Sequence, residues 1–137
     1  MPAGTMARTT IDELLAQARR RLKRLDPPAA FDAMRSGATL IDIRSDSQIA
    51  NDGVIVGALV IARNVLEWRL DPASTARHPD APGLDDHVIL TCDAGWASSL
   101  AAVTLQELGF ARATDLDGGF QAWRAAGLPT APAGEPR

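Results

Sequence analysis

Four short apolar runs constrain this chain more than any other feature. Leu40-Ile41-Asp42-Ile43, Leu59-Val60-Ile61 and Val88-Ile89-Leu90-Thr91 are rich in β-branched residues, and Ala113-Thr114-Asp115-Leu116 is a weaker fourth run. They are apolar along most of their length instead of at alternate positions, so both faces of each strand need cover. Helical patterns separate them, around residues 46–51, 65–70, 98–108 and 120–126. Strands alternating with helices in this way build a parallel sheet covered on both sides. The expected fold class is therefore α/β, with a central parallel β-sheet of about five strands, helices on both faces and an extra N-terminal helix.

That extra helix is read over residues 10–25. Thr10 and Glu13 have the spacing of a capping box, and Ile11, Leu14, Leu15, Ala18, Leu22 and Leu25 recur at helical intervals. The basic run Arg19-Arg20-Arg21-Leu22-Lys23-Arg24 falls mainly on the opposite face and is read first as solvated, with contact to an acidic partner as the alternative. Asp26-Pro27-Pro28 ends this helix and begins another, carrying Phe31 and Met34 and stopping near Gly37. Residues 71–86 contain Pro72, Pro79, Pro82 and Gly83 and read as a long surface loop. The 137 residues suit one domain. The expected organisation is a disordered N-terminus over 1–9, the amphipathic helix over 10–25, the domain over 26–130 and a flexible tail over 131–137, with fraying from Thr130.

Charge and composition narrow the functional classes. A formal net charge of −3 gives no general affinity for nucleic acid or anionic membranes. No apolar run approaches the roughly 18 residues of a membrane span, and the N-terminus lacks a signal-peptide pattern. A single cysteine cannot form an internal disulfide, so the cytoplasm is the expected location. His78 and His87 stand apart from other ligand types, so neither a metal nor a cofactor is expected.

The lone thiol lies in Val-Ile-Leu-Thr-Cys-Asp-Ala-Gly-Trp-Ala-Ser-Ser, residues 88–99, where an apolar strand meets a helical pattern. In open α/β sheets, ligands bind beyond the carboxyl ends of strands, and Cys92 falls at such an end. Unpaired amides at the following helix N-terminus favour negative charge there and lower the pKa of a nearby thiol. The small residues Ala94, Gly95, Ala97 and Ser98 let successive amides turn inward as an anion nest. Two readings stand side by side: a thiolate nucleophile for sulfur or phosphorus, and a small buried hydrophobe.

Three ordered motifs resemble one family. Cys92-x-x-Gly95-x-Ala97-Ser98 is similar to the active-site loop of rhodanese-like sulfurtransferase domains. Asp42-Ile43-Arg44, with Gly53-Val54-Ile55-Val56-Gly57-Ala58 downstream, resembles that family's Asp-x-Arg and Gly-His-Ile-Pro-Gly-Ala segments. Asp117-Gly118-Gly119-Phe120-Gln121-Ala122-Trp123, followed by Gly127-Leu128-Pro129, is similar to its closing pattern. The resemblance implies a rhodanese-like fold and a persulfide relay. Cys92 would take a sulfane sulfur from thiosulfate or a persulfide and pass it to cyanide, a thiol or a protein acceptor. Asp93, Ala94, Gly95, Trp96, Ala97 and Ser98 would cradle the sulfur, with Asp42 and Arg44 in support.

The departures are specific. The family loop usually ends in arginine, where this chain has Ala97, and Ser98 stands where a cysteine phosphatase requires one. A dianion such as thiosulfate or phosphate thus loses a bidentate partner. Thiosulfate is expected to be a poor donor, and a phosphatase or arsenate reductase ranks lowest. A persulfide of low charge fits better, with Trp96 as an apolar wall or a surface contact. Arg44, Arg63 and Arg69 are the alternative cations considered, Arg44 being read first as a brace paired with Asp42. Val54 and Val56 replace the family's His and Pro without loss of apolar character, and Trp123 is read as core or as a lid over the sheet edge. The competing function is a non-catalytic rhodanese-like module for partner binding or redox sensing.

Overall fold

The computed structural model describes residues 7–134, so the parts of the expected N-terminus and tail at 1–6 and 135–137 lie outside it. The elements in chain order are α1 (Ile11–Arg20), α2 (Pro27–Arg35), β1 (Thr39–Asp42), α3 (Asp46–Asp52), β2 (Val54–Ile55) and β3 (Leu59–Val60). A 3₁₀ turn at Arg63–Val65 leads to α4 (Leu66–Leu70), followed by β4 (Val88–Thr91), α5 (Ala97–Glu107), β5 (Ala113–Asp115), α6 (Gly119–Ala125) and β6 (Thr130–Ala131).

The four apolar runs form one parallel sheet in the order β3-β1-β4-β5. Its centre is the β1–β4 pair, with Thr39 opposite Val88 and Asp42 opposite Thr91. A single parallel bridge, Leu25 to Leu116, continues the ladder beyond β5 and occupies the fifth position of the sheet. There Leu25 donates to the Asp115 carbonyl at 3.1 Å and accepts from the Asp117 amide at 2.8 Å.

Alternate residues of the central strands point to opposite faces. Ile41 and Leu90 join Leu66, Leu70, Ala101, Leu105 and Phe110 in one buried layer, under α4 and α5. Leu40 and Ile89 join Ala30, Leu116, Phe120 and Trp123 in the other, under α2 and α6. Trp123 is core: its ring meets Phe31 edge-on at 5.8 Å and its indole N–H donates to the Pro129 carbonyl at 3.0 Å.

Three local differences from the sequence reading have physical causes. The capping box forms as expected, but α1 ends at Arg20 instead of running to 25. Leu25 gains two ladder hydrogen bonds outside the helix, and Asp26, ahead of Pro27, is extended as the N-cap of α2. Leu22 and Leu25 are still partly buried, each against a different core layer. The second difference is at Thr130–Ala131, which is not frayed; it pairs antiparallel with Val54–Ile55. Two-residue strands are too short to produce periodicity. The third concerns the basic run and is described with the site. None of the described helices is long and apolar enough to cross a membrane.

Candidate active site

The connection from β1 leads to one edge of the sheet and that from β4 to the other, so the topology reverses between these neighbours. Such a switch point opens a crevice at the carboxyl ends of the strands. Here β1 delivers Asp42, Ile43 and Arg44, and β4 delivers Cys92. Ile43, Arg44 and Gln48 line one side of the depression, and Asp93, Ala94, Trp96 and Ala97 line the other, with Cys92 between them. Of the sequence-predicted site residues, Asp93, Ala94, Trp96, Ala97 and Arg44 line the depression, Gly95 and Ser98 reach the sulfur through their amides, and the Asp42 carboxylate is paired with Arg44.

Cys92 is 7 % exposed, and backbone amides aim at its sulfur. Gly95 N–H lies 3.2 Å from Sγ and Ser98 N–H 3.4 Å. Sγ is also 3.4 Å from Ser98 Oγ, to which a protonated thiol can donate. Ser98 and Ser99 hydroxyls both donate to Asp115 Oδ2, at 2.8 and 2.7 Å. Each such hydrogen bond strengthens as negative charge develops at its acceptor.

The closing Gly-Gly motif explains how the loop is held open. Phe120 N–H donates to the Cys92 carbonyl at 2.8 Å, and Gln121 N–H to that of Asp93 at 3.1 Å. These carbonyls are therefore turned toward α6, away from the sulfur. A Cβ at Gly119 would lie 2.6 Å from the Cys92 oxygen and 2.7 Å from the Asp93 oxygen, so only glycine permits this approach. Gly95, at φ +89, faces the same turn: a Cβ there would come within 2.9 Å of Gly118 N. The Asp93 carboxylate is drawn away as well, accepting from Gln121 Nε2 at 2.8 Å.

Arg44 is a buried brace. Its Nη2 bonds Asp42 Oδ2 and the Gly53 carbonyl, each at 2.7 Å, and its guanidinium lies 3.8 Å from the Phe120 ring centroid. Arg44 Nη1 is buried without a hydrogen-bond partner among the described residues. Arg63 pairs with Glu67, and Arg69 bonds the Ala76 carbonyl, so these two cations are engaged elsewhere. Trp96 is 70 % exposed at the rim of the depression.

Two members of the basic run depart from the solvated reading, while Arg20, Arg21 and Lys23 are exposed as expected. Arg19 Nη2 donates to the Gly95 carbonyl at 2.9 Å and Arg19 Nε to Ser99 Oγ at 3.2 Å. Arg24 Nη2 reaches the same carbonyl at 3.1 Å, while its Nε and Nη2 grip Asp115 at 2.8 and 3.2 Å. Burial opposes the Arg24 charge, but its bond to Asp115 and the charges of Asp115, Asp117 and Cys92 prevail, holding it above its ordinary value. Sequence reasoning missed both arginines. The available signal was Asp115 itself, a carboxylate in an apolar strand that needs a positive partner when buried.

A parallel sheet with a cysteine loop at its switch point, closed by a Gly-Gly turn, defines a class of small α/β domain. The rhodanese-like domain family matches residues 27–126, and the chain belongs to it. Thiosulfate sulfurtransferase GlpE of Stutzerimonas stutzeri is 36% identical over 102 residues, covering 74% of this chain and 84% of that protein. Among solved structures, the human single-domain sulfurtransferase is 30% identical at a TM-score of 0.64, covering 74% of this chain and 95% of its own. A Rhodopseudomonas palustris protein described as a possible tyrosine phosphatase is 32% identical at a TM-score of 0.82. That match covers 96% of this chain and 99% of the other, so it takes in most of the segment ahead of Pro27.

Proposed function

We propose that this chain is a sulfurtransferase that carries a sulfane sulfur on Cys92. The observation that carries the reading is the pair of loop amides, Gly95 N–H and Ser98 N–H, directed at Sγ. The names of the relatives agree with it. The Cys92 thiolate attacks the outer sulfur of a donor R–S–S⁻, an S–S bond forms at Cys92, and R–S⁻ leaves with the electron pair of the broken bond. A thiol or cyanide then attacks the terminal sulfur and restores the thiolate, so no external oxidant or reductant is consumed. The loop amides hold the sulfur charge before and after transfer.

Neither Ala97 nor Ser98 offers the fork that a dianion uses, and Arg44 is already committed to Asp42 and Gly53. Transfer of sulfur from a persulfide of low charge therefore suits the site better than phosphate hydrolysis. Incubation with a small persulfide is expected to add the mass of one sulfur atom to the intact chain, removable by cyanide. A chain that gains no such mass from any sulfane donor would overturn the reading.

Restoring the missing cation gives a second test. Ala97→Arg is expected to raise kcat/KM for thiosulfate about tenfold, the scale of one charge-assisted bidentate contact, with little change for a neutral persulfide. Steady-state rates on the two donors check this.

A further inference from the structure

Arg19 and Arg24 precede the segment that the family shares, which begins at residue 27, yet both guanidinium groups end on the Cys92 loop. We infer that they are positioning residues for the sulfur site: the N-terminal segment supplies, from behind the loop, the positive charge that Ala97 leaves out of it. The inference deepens the sulfurtransferase reading and rests on Cys92 being the sulfur carrier.

Two routes connect these side chains to the thiol. The first runs through the Gly95 carbonyl, which accepts from Arg19 at 2.9 Å and from Arg24 at 3.1 Å. In a trans peptide the C=O and the next N–H point in opposite directions, so this grip turns the Trp96 N–H away from the two guanidiniums. It also fixes the left-handed Gly95, whose own N–H points at Sγ.

The second route runs through Asp115. This carboxylate is fully buried and lies two hydrogen bonds from the sulfur, by way of the Ser98 hydroxyl. Left alone, a buried carboxylate so close would oppose a thiolate as a like charge. Arg24 cancels it with two contacts and holds Asp115 where Ser98 and Ser99 reach it. Arg24 is itself shielded, its side chain being 17% exposed, so solvent screens this pair weakly. Asp117, at 3.1 Å from Nη1, further restrains the guanidinium. The loop thus has cationic support without an arginine of its own.

The test is alkylation of Cys92 by iodoacetamide, a neutral reagent insensitive to charge steering, in the intact chain across a range of pH. Arg24→Gln is expected to slow the reaction about tenfold near neutral pH, with the rate recovered at higher pH. Arg24→Lys should restore part of the rate. A97R in the R24Q background should restore it to within about threefold of the original, because charge returns by another path. Equal rates in R24Q and the original protein would overturn the inference, as would a loss that follows Tm and is not relieved by A97R. If R24Q does not fold, Arg19→Gln keeps the Arg24–Asp115 pair and carries the test. It is expected to slow alkylation about threefold, and an unchanged rate would overturn the inference. Alkylation needs no sulfur donor, so its outcome is separate from that of the mass measurement.

Discussion

Cys92→Ser is expected to abolish sulfur uptake while leaving the fold intact. The side chain sits between the Gly95 and Ser98 amides and the Ser98 hydroxyl, and a serine oxygen can use the same partners. Stability should therefore change little. Chemistry should not survive, because a hydroxyl ionises far above neutral pH and cannot form the S–S bond that carries the sulfur. Turnover with any sulfane donor should fall at least about a thousandfold, and the intact mass should show no cyanide-labile sulfur. A serine variant that still accepts sulfur would move the carrier role away from residue 92.

The second large effect concerns stability. Asp42→Asn removes the charge opposite Arg44, whose side chain is fully buried. Removing one member of a buried pair strands the other, at a cost of about 3–5 kcal/mol. Urea unfolding would read this as a lower midpoint at unchanged slope. Asp42→Leu combined with Arg44→Met should lose less than Asp42→Asn alone, because no uncompensated charge remains. The single variant should also lower activity, since Arg44 lines the depression over Cys92 and rests on Phe120, whose amide holds the Cys92 carbonyl. A single-variant cost below about 1 kcal/mol would mean that Arg44 finds other partners.

Much of this architecture was legible in the sequence because it depends on local patterns. Continuous apolar runs such as Val88–Thr91 admit few environments other than the middle of a covered sheet, and their alternation with helical segments implies parallel strands. The Cys92 loop and Asp42 with Arg44 could be read because their partners lie close in sequence, and the Gly118-Gly119 turn because two successive glycines mark a tight turn wherever its partners lie. The Arg44 brace is an example: Asp42 lies two residues away. Arg19 and Arg24 could not be read this way. Their partners are Gly95, Ser99 and Asp115, more than 70 residues distant along the chain. A basic run on a helix is usually solvated, and nothing in its local pattern distinguishes an arginine that reaches a buried acid. The β2–β6 pair was missed for a related reason, since Val54–Ile55 and Thr130–Ala131 are each too short to show a period and meet across most of the domain.

The bridge at Leu25 makes the reach of Arg24 depend on counting. Successive residues of an extended chain project to opposite sides, and Leu25 is pinned to Leu116 by two backbone bonds. One residue inserted between Arg24 and that anchor would leave the bridge able to form but would turn the guanidinium to the side away from Asp115. The spacing of a stretch that looks like a mere connector is thus as constrained as the identity of any residue in the loop it serves.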